Sequence, residues 1–198
     1  MGKLTENQPK CLLKLYSGET ILERQLRNLD ECGISEIIIT TGEYENALML
    51  TAQKFPHLSF SFVNNPDYDT TNYIYSMYLA ENHLEGDILL LHGDLVFGKS
   101  LILKMLNSCE LSLCLVNKNA SKPLNDFKGR LEKDFLREVS IDIFDEDCYA
   151  FQPLYKLFSR DIKIWLDEVK SMVEVGNTNV YAENALNNVL KNLSIKAT

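Results

Sequence analysis

Basic residues are in short supply in this chain. Twenty Lys and Arg stand against twenty-eight Asp and Glu, a net charge of −8. That argues against a nucleic-acid binder, whose affinity rests on neutralising phosphates, while small phosphate ligands need only a few local cations. Disulfide and metal-binding patterns are lacking too. The five cysteines (Cys11, Cys32, Cys109, Cys114, Cys148) are odd in number and scattered, with no C-x-x-C pair, and the three histidines have no metal-ligand spacing. Reduced thiols in a cytoplasmic protein fit this better than a disulfide framework or a zinc site. No apolar run approaches the roughly 18 residues that span a bilayer. Residues 1–10 are polar, so no secretory signal is expected. There is no internal repeat, low-complexity tract or linker, and no Ser/His/Asp or Cys/His constellation for covalent catalysis.

What the sequence does contain is an alternation of strand and helix patterns, in 198 residues that suit one full domain. Thr20-Ile21-Leu22-Glu23 reads as a capping box. The helix it opens sets Leu22, Leu26 and Leu29 on one face and stops at Gly33. A β-branched strand follows at 35–41, a helix at 43–54, a strand at 58–63, a loop at 64–71 and a helix from Tyr73. The apolar run 88–91 is bounded by Gly86-Asp87 and Gly93, as in a strand buried on both faces. Helix 99–107 and strand 111–116 complete a βαβ rhythm, which predicts an α/β fold with a mostly parallel sheet. Beyond 117 the rhythm changes. A hairpin is expected around Lys133-Asp134, then a strand at 148–157 whose Pro153 suggests an edge or a bulge, then helices at 159–174 and 180–193.

Four segments could carry chemistry. Asp94 follows the strand 88–91, at the strand edge where ligands of open α/β sheets bind, and a carboxylate there can hold Mg²⁺; it can equally be a turn residue. Lys10, behind Pro9 and ahead of an apolar run, is placed to act as a point charge on a phosphate, or is a plain solvated lysine. The loop from Asn65 into the helix at Tyr73 offers free N–H groups and small side chains that can grip a base or phosphate, though capping by Thr71 or Asn72 explains it as well. Glu183, in the first turn of the last helix, is explained by the helix dipole without any function. Tyr68, Tyr73, Tyr75 and Tyr78 could cage a quaternary ammonium, but tyrosines at this spacing more often simply pack.

Taken together, Thr-Glu-Asn-Gln-Pro-Lys-Cys-Leu-Leu (5–13), Asn-Tyr-Ile-Tyr-Ser-Met-Tyr (72–78), Leu-His-Gly-Asp (91–94) and Gln-Pro-Leu-Tyr-Lys (152–156) occur in an order that resembles the sugar-nucleotidyltransferase superfamily, in particular its phosphocholine cytidylyltransferase-like group. The resemblance covers essentially the whole chain. It implies a three-layer α-β-α Rossmann-like nucleotidyltransferase fold with a mostly parallel mixed sheet. The chain would be one domain, 1–198, with acceptor-side strands at 117–158 and C-terminal helices at 159–193. The implied reaction moves a cytidylyl group from CTP to a small phosphorylated acceptor such as phosphocholine, releasing pyrophosphate. By position, Asp94 matches the family's Mg²⁺-binding aspartate and Lys10 the lysine that neutralises phosphate charge. Gly93, Asn72 and Ser76 fall on the nucleotide, and Lys128 and Glu183 on the acceptor side. The implied partners are the nucleoside triphosphate, the acceptor and, as an option, a second copy in a homodimer. Nucleic acid and membrane are not among them.

The sequence departs from the family's pattern in three places. The Gly-rich loop that cradles the triphosphate would precede Met1, a strand with a second metal-binding aspartate would follow Thr198, and Tyr73 stands where the family often has a second Asn. Three alternatives therefore stay open. One is a truncated or degenerate homologue that binds without catalysis. Another is a sugar-phosphate nucleotidyltransferase using another nucleotide. The last is a metal-dependent glycosyltransferase, against which the lack of Asp-x-Asp at Asp94-Leu95-Val96 counts.

Overall fold

Thr20 does what its spacing with Glu23 predicts. In the computed structural model, which describes residues 8–198, the Glu23 N–H donates to the Thr20 hydroxyl at 3.1 Å and the Thr20 N–H donates to the Glu23 carboxylate at 2.6 Å. The reciprocal cap opens the first helix, and Gly33, at φ 82°, follows its end. Residues 5–7 of the segment that leads into Pro9-Lys10 lie outside the described residues.

In chain order the helices are α1 (Ile21–Asp30), α2 (Glu45–Ala52), α3 (Tyr73–Leu79), α4 (Lys99–Leu106), α5 (Ser159–Glu174) and α6 (Ala182–Val189). The strands are β1 (Glu36–Thr41), β2 (Ser59–Asn64), β3 (Ile88–Leu91), β4 (Ser112–Asn117), β5 (Lys128–Glu132), β6 (Phe135–Ser140), β7 (Cys148–Leu157) and β8 (Ile195–Ala197). Among the described residues no helix is long and apolar enough to cross a membrane. The chain folds as two compact units, one running to Tyr68 and including His92–Asn107, the other comprising Asp69–Leu91 and Ser108–Thr198.

The first unit is a βαβ piece. β1 and β2 pair in parallel from Glu36↔Ser59 to Thr41↔Asn64, joined through α2. Leu22 and Leu26 of α1 meet Leu48 and Leu58 in its core, with Ile37, Ile39, Phe60 and Phe62 packed against them. Cys11 and Leu12, in the short 3₁₀ turn Lys10–Leu12, join the same cluster, so the segment bearing Lys10 is anchored on α1 and the sheet.

The second unit holds a six-stranded sheet in the order β3-β7-β4-β8-β6-β5, with β5 also paired to β7. The α/β class and the mixed sheet are as expected, but the strand directions are mostly antiparallel. Among the described residues, only β1–β2 and β4–β8 are parallel pairs; β3–β7, β4–β7, β5–β6, β5–β7 and β6–β8 are antiparallel. The cause is β7. It lies between β3 and β4, which themselves run the same way, and so converts one parallel neighbour pair into two antiparallel ones. Pro153 sits where the β4–β7 register jumps, between Cys114↔Tyr155 and Leu115↔Gln152. Of the two roles its sequence allowed it takes the bulge, where its missing N–H leaves no gap in the β4 ladder. The hairpin turn forms at Lys133 and Asp134, at φ 50° and 68°. Residues 195–197, beyond the last helix expected from the sequence, are the strand β8.

Candidate active site

Asp94 lies in the first unit, in an irregular segment that follows β3 in the chain. Its Oδ2 lies 3.3 Å from the Lys10 Nζ, with the two side chains 38% and 51% exposed. Sequence spacing could not bring these residues together, since 84 positions separate them. An exposed pair of this kind holds together by at most about 1 kcal/mol, so its partners exchange readily. A carboxylate released to a cation and an ammonium released to an anion make a ready site for a metal–phosphate pair.

The surroundings of Asp94 are built by α1. Gln25 and Asn28 are buried on the face that also carries Leu22, Leu26 and Leu29. The Gln25 amide donates to the carbonyls of His92 at 3.1 Å and Leu95 at 2.7 Å, and the Asn28 amide donates to the Phe97 carbonyl at 2.8 Å. Reasoning from sequence missed both residues. Their one signal was a pair of amides three apart on an otherwise leucine-lined face. Gly93 has no steric need to be glycine, since a Cβ there meets only the Cys11 Cβ at 3.6 Å. Burial pushes the Cys11 thiol up to about 11, with the charge of Asp94 adding to it, so Cys11 stays a neutral thiol. Burial holds the His92 imidazole below its ordinary range, against the pull of Asp94.

A single, partly exposed carboxylate suits Mg²⁺, which is commonly held by one or two carboxylates together with water and phosphate oxygens. Among the described residues, one group of three His, Cys, Asp or Glu side chains is close enough to share an ion: Asp145, Asp147 and Cys148. Arg130 already occupies it, bonded to Asp145 at 2.6 Å, Asp147 at 3.1 Å and Glu138 at 3.0 Å. The first unit also has an open hollow of about 470 Å³ at the carboxyl ends of β1 and β2. Within its wall Asn64 donates to Glu45 at 3.1 Å and Tyr68 to Glu43 at 2.9 Å.

The other sequence candidates fall in the second unit. Asn72 is the N-cap of α3, its side chain accepting from the Tyr73 N–H at 2.8 Å, and its own N–H donates to the Thr178 carbonyl at 2.9 Å. Ser76 is half-buried on the same helix. Glu183 is not on a surface open to an acceptor: it is 1% exposed and accepts hydrogen bonds from the hydroxyls of Tyr73 and Tyr155. Burial pushes its carboxyl up to about 8. Lys128 is likewise enclosed, at 0% exposure. Its ammonium donates to the carbonyls of Pro123 and Ile141 under the Phe144 ring, 4.0 Å from the ring centre. Both were expected to meet the acceptor, and both are committed to internal partners instead. Tyr75 and Tyr78 stack on each other, Tyr73 bonds Glu183, and Tyr68 belongs to the first unit.

A family model described as "MobA-like NTP transferase domain" matches residues 1–169. A CMP-5'-(3-aminopropyl)phosphonate synthase of Streptomyces rubellomurinus is 29% identical over 147 residues, 74% of this chain and 23% of that protein. A CTP:phosphoglutamine cytidylyltransferase of Campylobacter jejuni is 26% identical over 125 residues, 60% of this chain and 48% of that protein. The chain thus spans at most about half the length of these two curated relatives. Among solved structures, the CTP:phosphocholine cytidylyltransferase of Streptococcus pneumoniae shares the fold, with a TM-score of 0.72 at 18% identity over 100% of this chain and 83% of that one.

Proposed function

Because the chain belongs to the MobA-like NTP transferase domain family, we propose that it transfers a cytidylyl group from CTP to a small phosphorylated acceptor of the phosphocholine type. A phosphate oxygen of the acceptor forms a bond to the α-phosphorus of the nucleotide, the bond from that phosphorus to the β-phosphate bridging oxygen breaks, and pyrophosphate leaves. The acceptor oxygen is already anionic, so the step needs no general base. It needs alignment and charge neutralisation, which suits a chain without a nucleophile–base pair.

The observation that carries this reading is the exposed Lys10–Asp94 pair at 3.3 Å. Asp94 would hold Mg²⁺ through its carboxylate, and Lys10 would set its ammonium against the phosphates. A Mg²⁺ ion held by Asp94 would withdraw charge from the phosphates. Gly93, next to Asp94, is assigned to the nucleotide from its place in the Leu-His-Gly-Asp motif. Asn72 and Ser76 are assigned to the nucleotide from their place in the α3 motif. Glu183 and Lys128 serve as buried supports of the second unit rather than as groups touching the acceptor. The choice of CTP is supported by the names of the relatives, which describe cytidylyl chemistry.

The test is pyrophosphate release with Mg²⁺, each of the four common nucleoside triphosphates, and phosphocholine or a panel of phosphorylated amines and alcohols. Release is expected with CTP, dependent on the acceptor and abolished by EDTA. Asp94→Ala should lower it by about 100-fold or more, the scale of losing a preorganised charge contact. Absence of release with every pair overturns the reading, and release with another nucleotide in place of CTP overturns the nucleotide assignment.

A further inference from the structure

Gln25 holds the segment that carries Asp94 from both sides. Its amide is buried, and both of its N–H bonds are spent on carbonyls flanking the Gly93-Asp94 pair, His92 before it and Leu95 after it. Asn28, one turn further along the same face of α1, takes the Phe97 carbonyl. Residues 92–98 have no helix or strand of their own to fix them. Polar side chains are costly on a buried helical face unless bonded, and here the bonds that these two amides donate reach across to this one segment. The turn bearing Lys10 is referred to the same helix, since Cys11 and Leu12 pack into the α1 core and the Ile21 N–H donates to the Leu13 carbonyl at 3.1 Å. One rigid element therefore sets the position of both charges.

We propose that Gln25, seconded by Asn28, is a positioning residue for Asp94, fixing where its carboxylate meets the metal–nucleotide complex. The inference rests on the nucleotidyl-transfer reading and adds to it a group that touches neither metal nor substrate. Side chains that orient a metal-binding group change metal affinity by about 10- to 100-fold when lost. Apolar replacement at Gln25 removes both bonds, lets the segment relax and displaces the Asp94 oxygens. The effect falls on the metal step and spares acceptor binding.

The variants are Gln25→Leu, Gln25→Asn (an amide too short to span both carbonyls), Asp94→Ala, and Thr20→Ala, which weakens α1 without touching the segment. For each, the Mg²⁺ concentration giving half-maximal turnover, kcat, and KM for the acceptor are measured. Mn²⁺ binding in the presence of CTP is followed by electron paramagnetic resonance, and folding by thermal melting. Gln25→Leu is expected to raise the Mg²⁺ midpoint and weaken Mn²⁺–CTP binding about tenfold, with unchanged KM for the acceptor and partial recovery of kcat at high Mg²⁺. Gln25→Asn should fall between it and wild type, Asp94→Ala should show no recovery, and Thr20→Ala should shift only the melt. A wild-type Mg²⁺ midpoint and Mn²⁺–CTP affinity in Gln25→Leu, or in Gln25→Asn if the leucine variant does not fold, overturns the inference alone. Equal shifts in Thr20→Ala overturn it too, because loosening α1 would then be the whole effect. A wild-type chain that neither turns over nor binds Mn²⁺–CTP overturns the underlying reading, and the inference with it.

Discussion

Glu183 is a carboxyl buried against two tyrosine hydroxyls, with its pKa raised from 4.5 to about 8. Between those values the unfolded chain has released the proton and the folded chain still holds it. Stability from this group is therefore complete below about pH 4.5 and is lost as pH rises through about 8. The loss approaches roughly 1.4 kcal/mol per pH unit in that window. Glu183→Gln, neutral at every pH, should flatten this slope in urea unfolding measured from pH 5 to pH 8, and an unchanged slope would count against the shift. At this scale the sequence was only partly legible. Asp94 and Lys10 were singled out from motif order, and the structure sets them side by side. For Glu183 and Lys128 the burial decides the role, and burial depends on partners such as Tyr155 and Ile141 that lie far along the chain. Gln25 escaped notice because an amide on a helix reads as surface until the facing carbonyls are known.

Among the elements, α1 is the clearest case of local determination. Its cap, apolar face and glycine stop are all encoded within a few residues, and all form. Thr20→Ala should cost about 1 kcal/mol, the usual value of an N-cap, seen as a lower urea midpoint and restored by Thr20→Ser. β7 shows the opposite. Its length and proline were readable, and Pro153 does mark a bulge. Its insertion between β3 and β4 was not, because strand order depends on contacts that no local pattern records. That single insertion turned an expected run of parallel neighbours into antiparallel pairs. β8 was overlooked for a different reason: Ile-Lys-Ala is too short to show a period, and its pairing with β4 and β6 makes it a strand.

For the whole molecule, the apolar clusters formed by the described residues differ between the two units. The first has a cluster around Leu22, Leu26, Leu48 and Leu58; the second has one running from Ile74 to Ile195 around Trp165, Tyr155 and Phe151. Burial is the main source of resistance to local opening. Hydrogen exchange should therefore be slowest in β4, β7 and α5, and faster by about tenfold or more in β1 and β2. Equal protection in both units would show that they open together. The central place of β7 also bears on how the protein is made. β3 is complete when Leu91 is synthesised, yet the strand it pairs with ends 66 residues later at Leu157. At roughly 5–20 residues per second that is about 3–13 s of translation. Through that interval β3 and β4 have no neighbour to bind, since β7 must lie between them. The nascent chain thus carries open apolar strands off the ribosome, and how long it is exposed to chaperones or aggregation depends on the speed of synthesis between residues 91 and 157.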